Sequence, residues 1–232
     1  MAEPETAGAG FDPAAALAGL ARQAQVDDFP ALLEKAALLY RILTAANTQV
    51  NLTRIASEEG FWLKHVADSL LIGVAFPDLV RRPMRVGDIG CGAGFPSLIL
   101  ALAYPVWQIT AIDSVGKKTA FVASAAAGLE LENLEVVTGR TREMGHKPVF
   151  QKRFDLLTAR AVGEAAVIYA DARRLLADHG RWIFYKTPEQ AEAELAALQK
   201  SPPAGPRLHW QLTRREELPG GAGARVFLHA RS

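Results

Sequence analysis

The chain of 232 residues carries a single cysteine, Cys91. That excludes an intrachain disulfide framework and leads us to expect a reducing compartment. Neither charge dominates: 26 Lys and Arg stand against 25 Asp and Glu, for a formal net charge of +1. No global basic field exists to attract nucleic acid, so such a partner has to be held by a local patch. Long apolar runs are missing too. The first residues are rich in Ala, Gly, Pro and Glu, with no basic segment ahead of an apolar stretch. No signal peptide, transmembrane span or membrane partner is expected, and the expected location is the cytoplasm. His65, His146, His179, His209 and His229 show no metal-ligand spacing, so no metal is expected.

What is present is an apolar half of the composition, enough for one α/β domain with a closed core. Residues 1–12 read as a disordered tail, 13–82 as a helical extension, and 83–232 as an α/β domain forming one globular unit with it. Leu32, Leu33, Ala36, Leu39, Leu43 and Ala46 recur at helical spacing within Pro30–Asn47, and Asn51-Leu52-Thr53 breaks the pattern. Ser57 caps a second helix, with Glu58 and Glu59 in its first turn and an apolar face of Phe61, Trp62, Val66, Leu70 and Val74. Strands are then predicted at Arg85–Ile89, Trp107–Ile112, Leu134–Val137, Phe154–Ala159 and Arg181–Tyr185. Helices alternate with them at Ser97–Ala103, Lys117–Ala127, Glu164–Ala177 and Pro188–Leu198, and Leu208–Leu212 with Ala224–His229 reads as a closing antiparallel pair. Such alternation implies a mostly parallel sheet covered on both faces. Trp62, Trp107 and Trp182 are expected in the core.

Asp88-Ile89-Gly90-Cys91-Gly92-Ala93-Gly94-Phe95 follows the first of these strands and opens a helix. In a doubly wound sheet, ligands bind at the carboxyl ends of the strands. Asp113 ends the next strand, roughly twenty residues on, where a carboxylate can accept hydrogen bonds from ribose hydroxyls. The dinucleotide fingerprint G-x-G-x-x-G does not fit. Counted from Gly90 its third glycine falls on Phe95, and counted from Gly92 it falls on Ser97. The spacing here, D-x-G-x-G-x-G, is the form of the methyltransferase loop, whose donor has no pyrophosphate to cradle.

Five segments occur in a telling order: Asn51-Leu52-Thr53, Lys64-His65-x-x-Asp68-Ser69, Asp88 through Gly94-Phe95-Pro96, Asp113-Ser114-x-Gly116-Lys117-Lys118, and Ala159-Arg160-Ala161. From about Leu32 to Lys186 the sequence resembles the ribosomal RNA small subunit methyltransferase G family, also called the glucose-inhibited division protein B family. The resemblance implies a class I methyltransferase (Rossmann-like) fold: a doubly wound, mostly parallel sheet with an N-terminal helical extension. It implies S-adenosyl-L-methionine as a consumed co-substrate and N7 of a guanosine in small-subunit (16S) ribosomal RNA as the target. Gly90 and Phe95 would line the donor pocket, with Asp88, Gly92, Gly94 and Asp113 completing the loop, and Thr141 and Arg142 would flank the adenine. Arg160 would stand beside donor and target. Two positions depart from the pattern: Arg142 stands where Glu is common, and Thr187 replaces the glycine that usually follows Lys186.

Guanine N7 carries an in-plane lone pair and needs no deprotonation, so proximity and alignment are the main catalytic terms. The sequence agrees in what it omits. It has no Asp/Asn-Pro-Pro-aromatic motif for exocyclic amines, and its only cysteine lies inside the donor loop. Arg160 is the expected catalytic residue, in a positioning role through phosphate or guanine O6. Lys117, Lys118, Arg140 and Lys186 are the candidate RNA contacts. The stretch Arg140, Arg142, Lys147, Lys152 and Arg153 is either a local RNA patch or ordinary surface charge. His65 is expected to cap or pack rather than touch RNA. The expected partner is ribosomal RNA, naked or within the assembled small subunit, and the expected state is a monomer. A methyltransferase of another RNA, a protein or a small molecule, or a non-catalytic RNA-binding module, are the alternatives.

Overall fold

The computed structural model describes residues 11–47, 52–53, 57–206 and 208–231. Residues 1–10 of the expected tail lie outside these, as does Asn51 of the expected helix break. Asp12 caps α1 (Pro13–Gln23) by accepting hydrogen bonds from the Ala14 and Ala15 amides at 2.9 and 3.2 Å. In α2 (Phe29–Asn47), Leu32, Ala36, Leu39 and Leu43 are buried, the single apolar stripe of an amphipathic helix. The Ser57 hydroxyl accepts from the Gly60 amide at 3.1 Å and opens α3 (Glu58–Phe61). A π-helical stretch, Trp62–Ala67, then runs into α4 (Asp68–Ala75).

β1 (Met84–Ile89), β2 (Trp107–Asp113), β3 (Leu134–Thr138), β4 (Phe154–Arg160) and β5 (Leu176–Lys186) pair in parallel in the order β3-β2-β1-β4-β5. The helices that follow them are α5 (Ser97–Ala103), α6 (Gly116–Gly128), α7 (Thr141–Met144), α8 (Ala165–Ala172) and α9 (Pro188–Lys200). One face of the sheet packs on α4, α5 and α6, which α1 and α2 cover in turn, through a core that includes Leu17, Leu39, Leu70, Leu98 and Val122. The other face packs on α8 and α9 through Ile168, Ala172 and Leu198. Helices on both faces of a mostly parallel sheet make this a doubly wound, Rossmann-like fold. Trp62, Trp107 and Trp182 are all buried in its core.

Three predicted boundaries shift by three residues or more, one of them the start of the closing pair, at Gln211 instead of Leu208. The helix expected to reach Ala177 stops at Ala172, and the fifth strand begins at Leu176 instead of Arg181. Leu175 and Leu176 continue an apolar spacing that suits a helix, but both are buried at the entry to the strand. The pairing with β4 then slips between Leu176 and Arg181, a bulge that His179 turns with a φ of +66°. The expected closing pair forms between β6 (Gln211–Leu212) and β8 (Ala224–Arg231), with β7 (Glu216–Glu217) also on β8. β8 additionally lies antiparallel along β5, from Arg181 opposite Arg231 to Lys186 opposite Val226.

Register decides what meets at the carboxyl end of the sheet. Ile89 is level with Ile112 and Ala159, Asp113 with Thr138, and Arg160 with Tyr185. The chain winds outward in one direction from β1 to β3 and in the other from β4 to β5, so a crevice opens between β1 and β4.

Candidate active site

Asp88 lies beneath the glycine loop, fully buried. Its Oδ2 accepts from the Ser97 amide at 3.3 Å and from the Ser97 hydroxyl, tying the end of β1 to the start of α5. Its Oδ1 is buried without a hydrogen-bond partner among the described residues. Burial, opposed by the Ser97 hydrogen bond, pushes this carboxyl up to about 7. Above it, Gly92 donates its amide to Asp113 Oδ2 at 3.0 Å, and Val115 donates to Oδ1 at 2.9 Å. Asp113 thereby joins the loops after β1 and β2. Gly90 has a φ of +67°, and a Cβ there would sit 2.6 Å from a Val162 methyl. Glycine is required on both counts. Gly94 faces Leu98 and Val122 of the helical layer.

A cavity of about 550 Å³ opens above these loops, a size usual for small-molecule sites. Its walls include Gly90, Asp113, Lys118, Arg140, Thr141, Arg142, Ala161, Val162 and Asp171. A larger cavity of about 890 Å³, lined by Phe76, Arg181, His229 and Arg231 among others, holds none of the candidate site residues. The smaller one fits an adenosine-bearing donor better. Gly90 leaves backbone close to its floor, a carboxylate stands on its rim, and both apolar and polar groups line it. Among the described residues, no group of three or more His, Cys, Asp and Glu gathers to hold a metal ion.

Arg160 leaves the end of β4 and turns toward the helical extension. Nη1 donates to the Lys64 carbonyl at 2.9 Å and to Asp68 Oδ2 at 2.8 Å. Nη2 lies 3.0 Å from His65 Nδ1. Arginine has only donors, so this imidazole nitrogen accepts, and the ring is neutral with its proton on Nε2, 3.2 Å from the Thr53 hydroxyl. Burial, and then the Arg160 charge, hold His65 down to about 3. Phe95 stacks on His65 with ring centroids 4.0 Å apart, and the Arg160 guanidinium lies 5.8 Å from the Phe95 centroid. Phe95 therefore supports this cluster and is itself buried. Asp68, with no exposed surface, also accepts from Arg225 Nη2 of β8 at 3.0 Å. Lys186 points inward as well. Its ammonium donates to the Gly163 carbonyl at 2.6 Å and pairs with Glu194 at 2.7 Å.

The family profile described as rRNA small subunit methyltransferase G matches residues 32–205. The chain belongs to that family. It is 41% identical over 160 residues to the ribosomal RNA small subunit methyltransferase G of Gloeobacter violaceus, covering 68% of this chain and 63% of that protein. The protein of the same name from Lactobacillus delbrueckii subsp. bulgaricus is 33% identical over 192 residues, 82% of this chain and 78% of that one. Among solved structures, a SAM-dependent methyltransferase from Aquifex aeolicus aligns with a TM-score of 0.57 at 14% identity, over 78% of this chain and 96% of that one. An O-methyltransferase from Bacillus cereus in complex with SAH gives 0.56 at 16% identity, over 84% and 90%. At such identities these two speak for the fold alone.

In this member of the family, the structure separates the sequence's candidates into three groups. Gly90, Asp113, Lys118, Arg140, Thr141 and Arg142 come together around the cavity, and Lys117 is exposed beside them on α6. Asp88, Gly92 and Gly94 build the loop from below or behind. Phe95, Arg160 and Lys186 are engaged in internal contacts. Of the basic stretch, Arg140 and Arg142 reach the cavity, whereas Lys152 pairs with Asp178 and Arg153 with Glu135 near the opposite end of the sheet. Sequence reasoning expected His65 to cap or pack, and it packs on Phe95, but the bonds of His65 and Asp68 to Arg160 went unseen. Their spacing of three residues puts both on one helix face, and that was the signal. Arg225 and Glu194 gave none, since each acts across the fold.

Proposed function

We propose that this protein transfers a methyl group from S-adenosylmethionine to N7 of a guanosine in small-subunit ribosomal RNA. The observation that carries the proposal is the crevice at the β1–β4 reversal, where Gly90, Asp113 and Thr141 line one cavity in a chain of this family. Bound there, the donor supplies an electrophilic methyl group on a sulfonium. Gly90 lets it approach the backbone, and Asp113 offers its remaining lone pairs to the ribose hydroxyls. Thr141 and Arg142 stand where the adenine would lie. Two of the acids at the crevice are engaged in structure, Asp88 with Ser97 and Asp113 with two backbone amides, and Asp171 of α8 is the third carboxylate in its lining. That suits a nucleophile such as N7, which needs no base.

Arg160 serves by fixing Phe95, His65 and the second half of the helical extension against the end of β4, so that the target enters beside the donor in one geometry. Lys117, Lys118, Arg140 and Arg142 make the cationic rim that receives RNA phosphates. We read the protein as a monomer working in the cytoplasm, with the extension and the sheet as one unit. No described helix is long and apolar enough to cross a membrane. The test is transfer of labelled methyl from the donor to isolated small-subunit RNA and to the assembled subunit, followed by mapping of the modified nucleotide. One 7-methylguanosine is expected. Label on protein, on a small molecule or on another base position would reject the assignment.

A further inference from the structure

The segment between β4 and α8 forms one wall of the donor cavity through Ala161 and Val162. Residues 161–164 are all exposed on their outer side, and Val162 lies directly over Gly90. Backbone preference does not hold this segment in place. Ala161 sits at a φ of +56°, which L residues seldom adopt, and Gly163 at +155° has no side chain to anchor it. Two charged side chains hold it instead. The Lys186 ammonium at the end of β5 donates to the Gly163 carbonyl at 2.6 Å. Glu194, on the middle of α9, accepts from the Ala165 amide through Oε2 at 2.7 Å. The same carboxylate binds Lys186 through Oε1 at 2.7 Å, and the two side chains are only 8% and 17% exposed. A desolvated pair with its remaining groups hydrogen-bonded is rigid, and removing one partner strands the other.

We propose that Glu194 is a positioning residue for the methyl transfer, resting on the reading of the crevice as the donor site. It touches neither donor nor target. Through Lys186 and the Ala165 amide it fixes the wall at Ala161 and Val162, and so sets the width of the donor cavity from a helix on the far face of the sheet.

The test compares wild type with Glu194→Ala and Glu194→Gln, with Glu192→Gln, an exposed position on the same helix, as control. Donor affinity is measured by calorimetry with S-adenosylmethionine alone, and local opening by hydrogen exchange at residues 161–165. Losing a charge-assisted hydrogen bond is expected to weaken donor binding on the order of tenfold in Glu194→Ala. Exchange should quicken at 163–165 and stay unchanged in β1 and β2. Glu194→Gln keeps the shape and an acceptor for Ala165, so it should fold and show a smaller effect in the same direction. In turnover, KM for the donor should rise while KM for RNA holds, which a merely structural role would not produce. Folded variants with wild-type donor affinity and exchange would overturn this inference alone. Wild-type protein that binds no donor would overturn the functional reading together with it.

Discussion

Arg160 was expected to reach for the guanine or a phosphate. Its guanidinium instead bonds Asp68, His65 and the Lys64 carbonyl, and its side chain is only 12% exposed. Under the proposed function, it acts on transfer through placement. A misplacement of about one ångström can cost on the order of a hundredfold in rate, and Arg160→Ala is expected to lose at least that much. Asp68 keeps Arg225, which limits the damage to the fold. Donor affinity should change far less than rate. Single-turnover transfer at saturating donor checks this, and a normal rate in a folded Arg160→Ala protein would leave the residue with no part in the reaction. Arg160→Lys cannot reproduce the fork that bridges three acceptors, so it should rescue little.

At the scale of elements, the segments after β2 and β3 bring Lys118, Arg140 and Arg142 to one rim, with Lys117 exposed beside them on α6, while Lys152 and Arg153 pair with acids at the other end of the sheet. RNA binding is accordingly expected to be salt-dependent despite the near-zero net charge. Each phosphate contact adds roughly 0.7 to the slope of log affinity against log salt on single strands. Replacing the four rim residues by alanine should flatten the slope measured by titration at several salt concentrations. Replacing Lys152 and Arg153 should leave it as it was, and equal loss from both sets would reject the rim.

The same elements show what a sequence discloses. β1, α5 and β2 were legible almost to the residue because glycine, proline and Asp113 punctuate short apolar runs. The loop from Asp88 to Phe95 was legible as a unit, but not which of its groups face the ligand. That depends on which side of the strand end each one leaves. The start of β5 was hidden because Leu175 and Leu176 fit a helix equally well, and only pairing with β4 decides between them. The role of Lys186 was hidden for a similar reason. A lysine at a strand end reads as solvated until Glu194, from the helix beyond, is brought against it.

At the scale of the whole molecule, two buried groups with opposed titrations shape the stability. Burial raises Asp88 from 3.8 to about 7, so across that window the folded state holds a proton the unfolded chain has released, and stability falls as pH rises. Burial and Arg160 lower His65 from 6.5 to about 3, so the folded ring stays neutral while the unfolded one charges, and stability falls as pH falls. Between about 4 and 6.5 the two slopes oppose each other. Asp88→Asn keeps an acceptor for Ser97 and removes one slope. Its stability should therefore begin to fall below about 6.5, where the wild type holds a flatter profile. Urea midpoints across the acid and neutral range check this, and superimposable profiles would mean that Asp88 titrates alike in both states.

Arg225 reaches Asp68 across 157 residues of sequence. On a ribosome adding about 5–20 residues per second, Asp68 emerges on the order of 8 to 30 seconds before the arginine that neutralises it. Until β8 follows, Asp68 lacks its second cation, β5 is an open edge, and the cluster around Arg160 has no lock on its outer side. Each nascent chain thus passes through an interval in which the loop from Asp88 to Phe95 is already synthesised and the arginine that closes the Asp68 cluster is not.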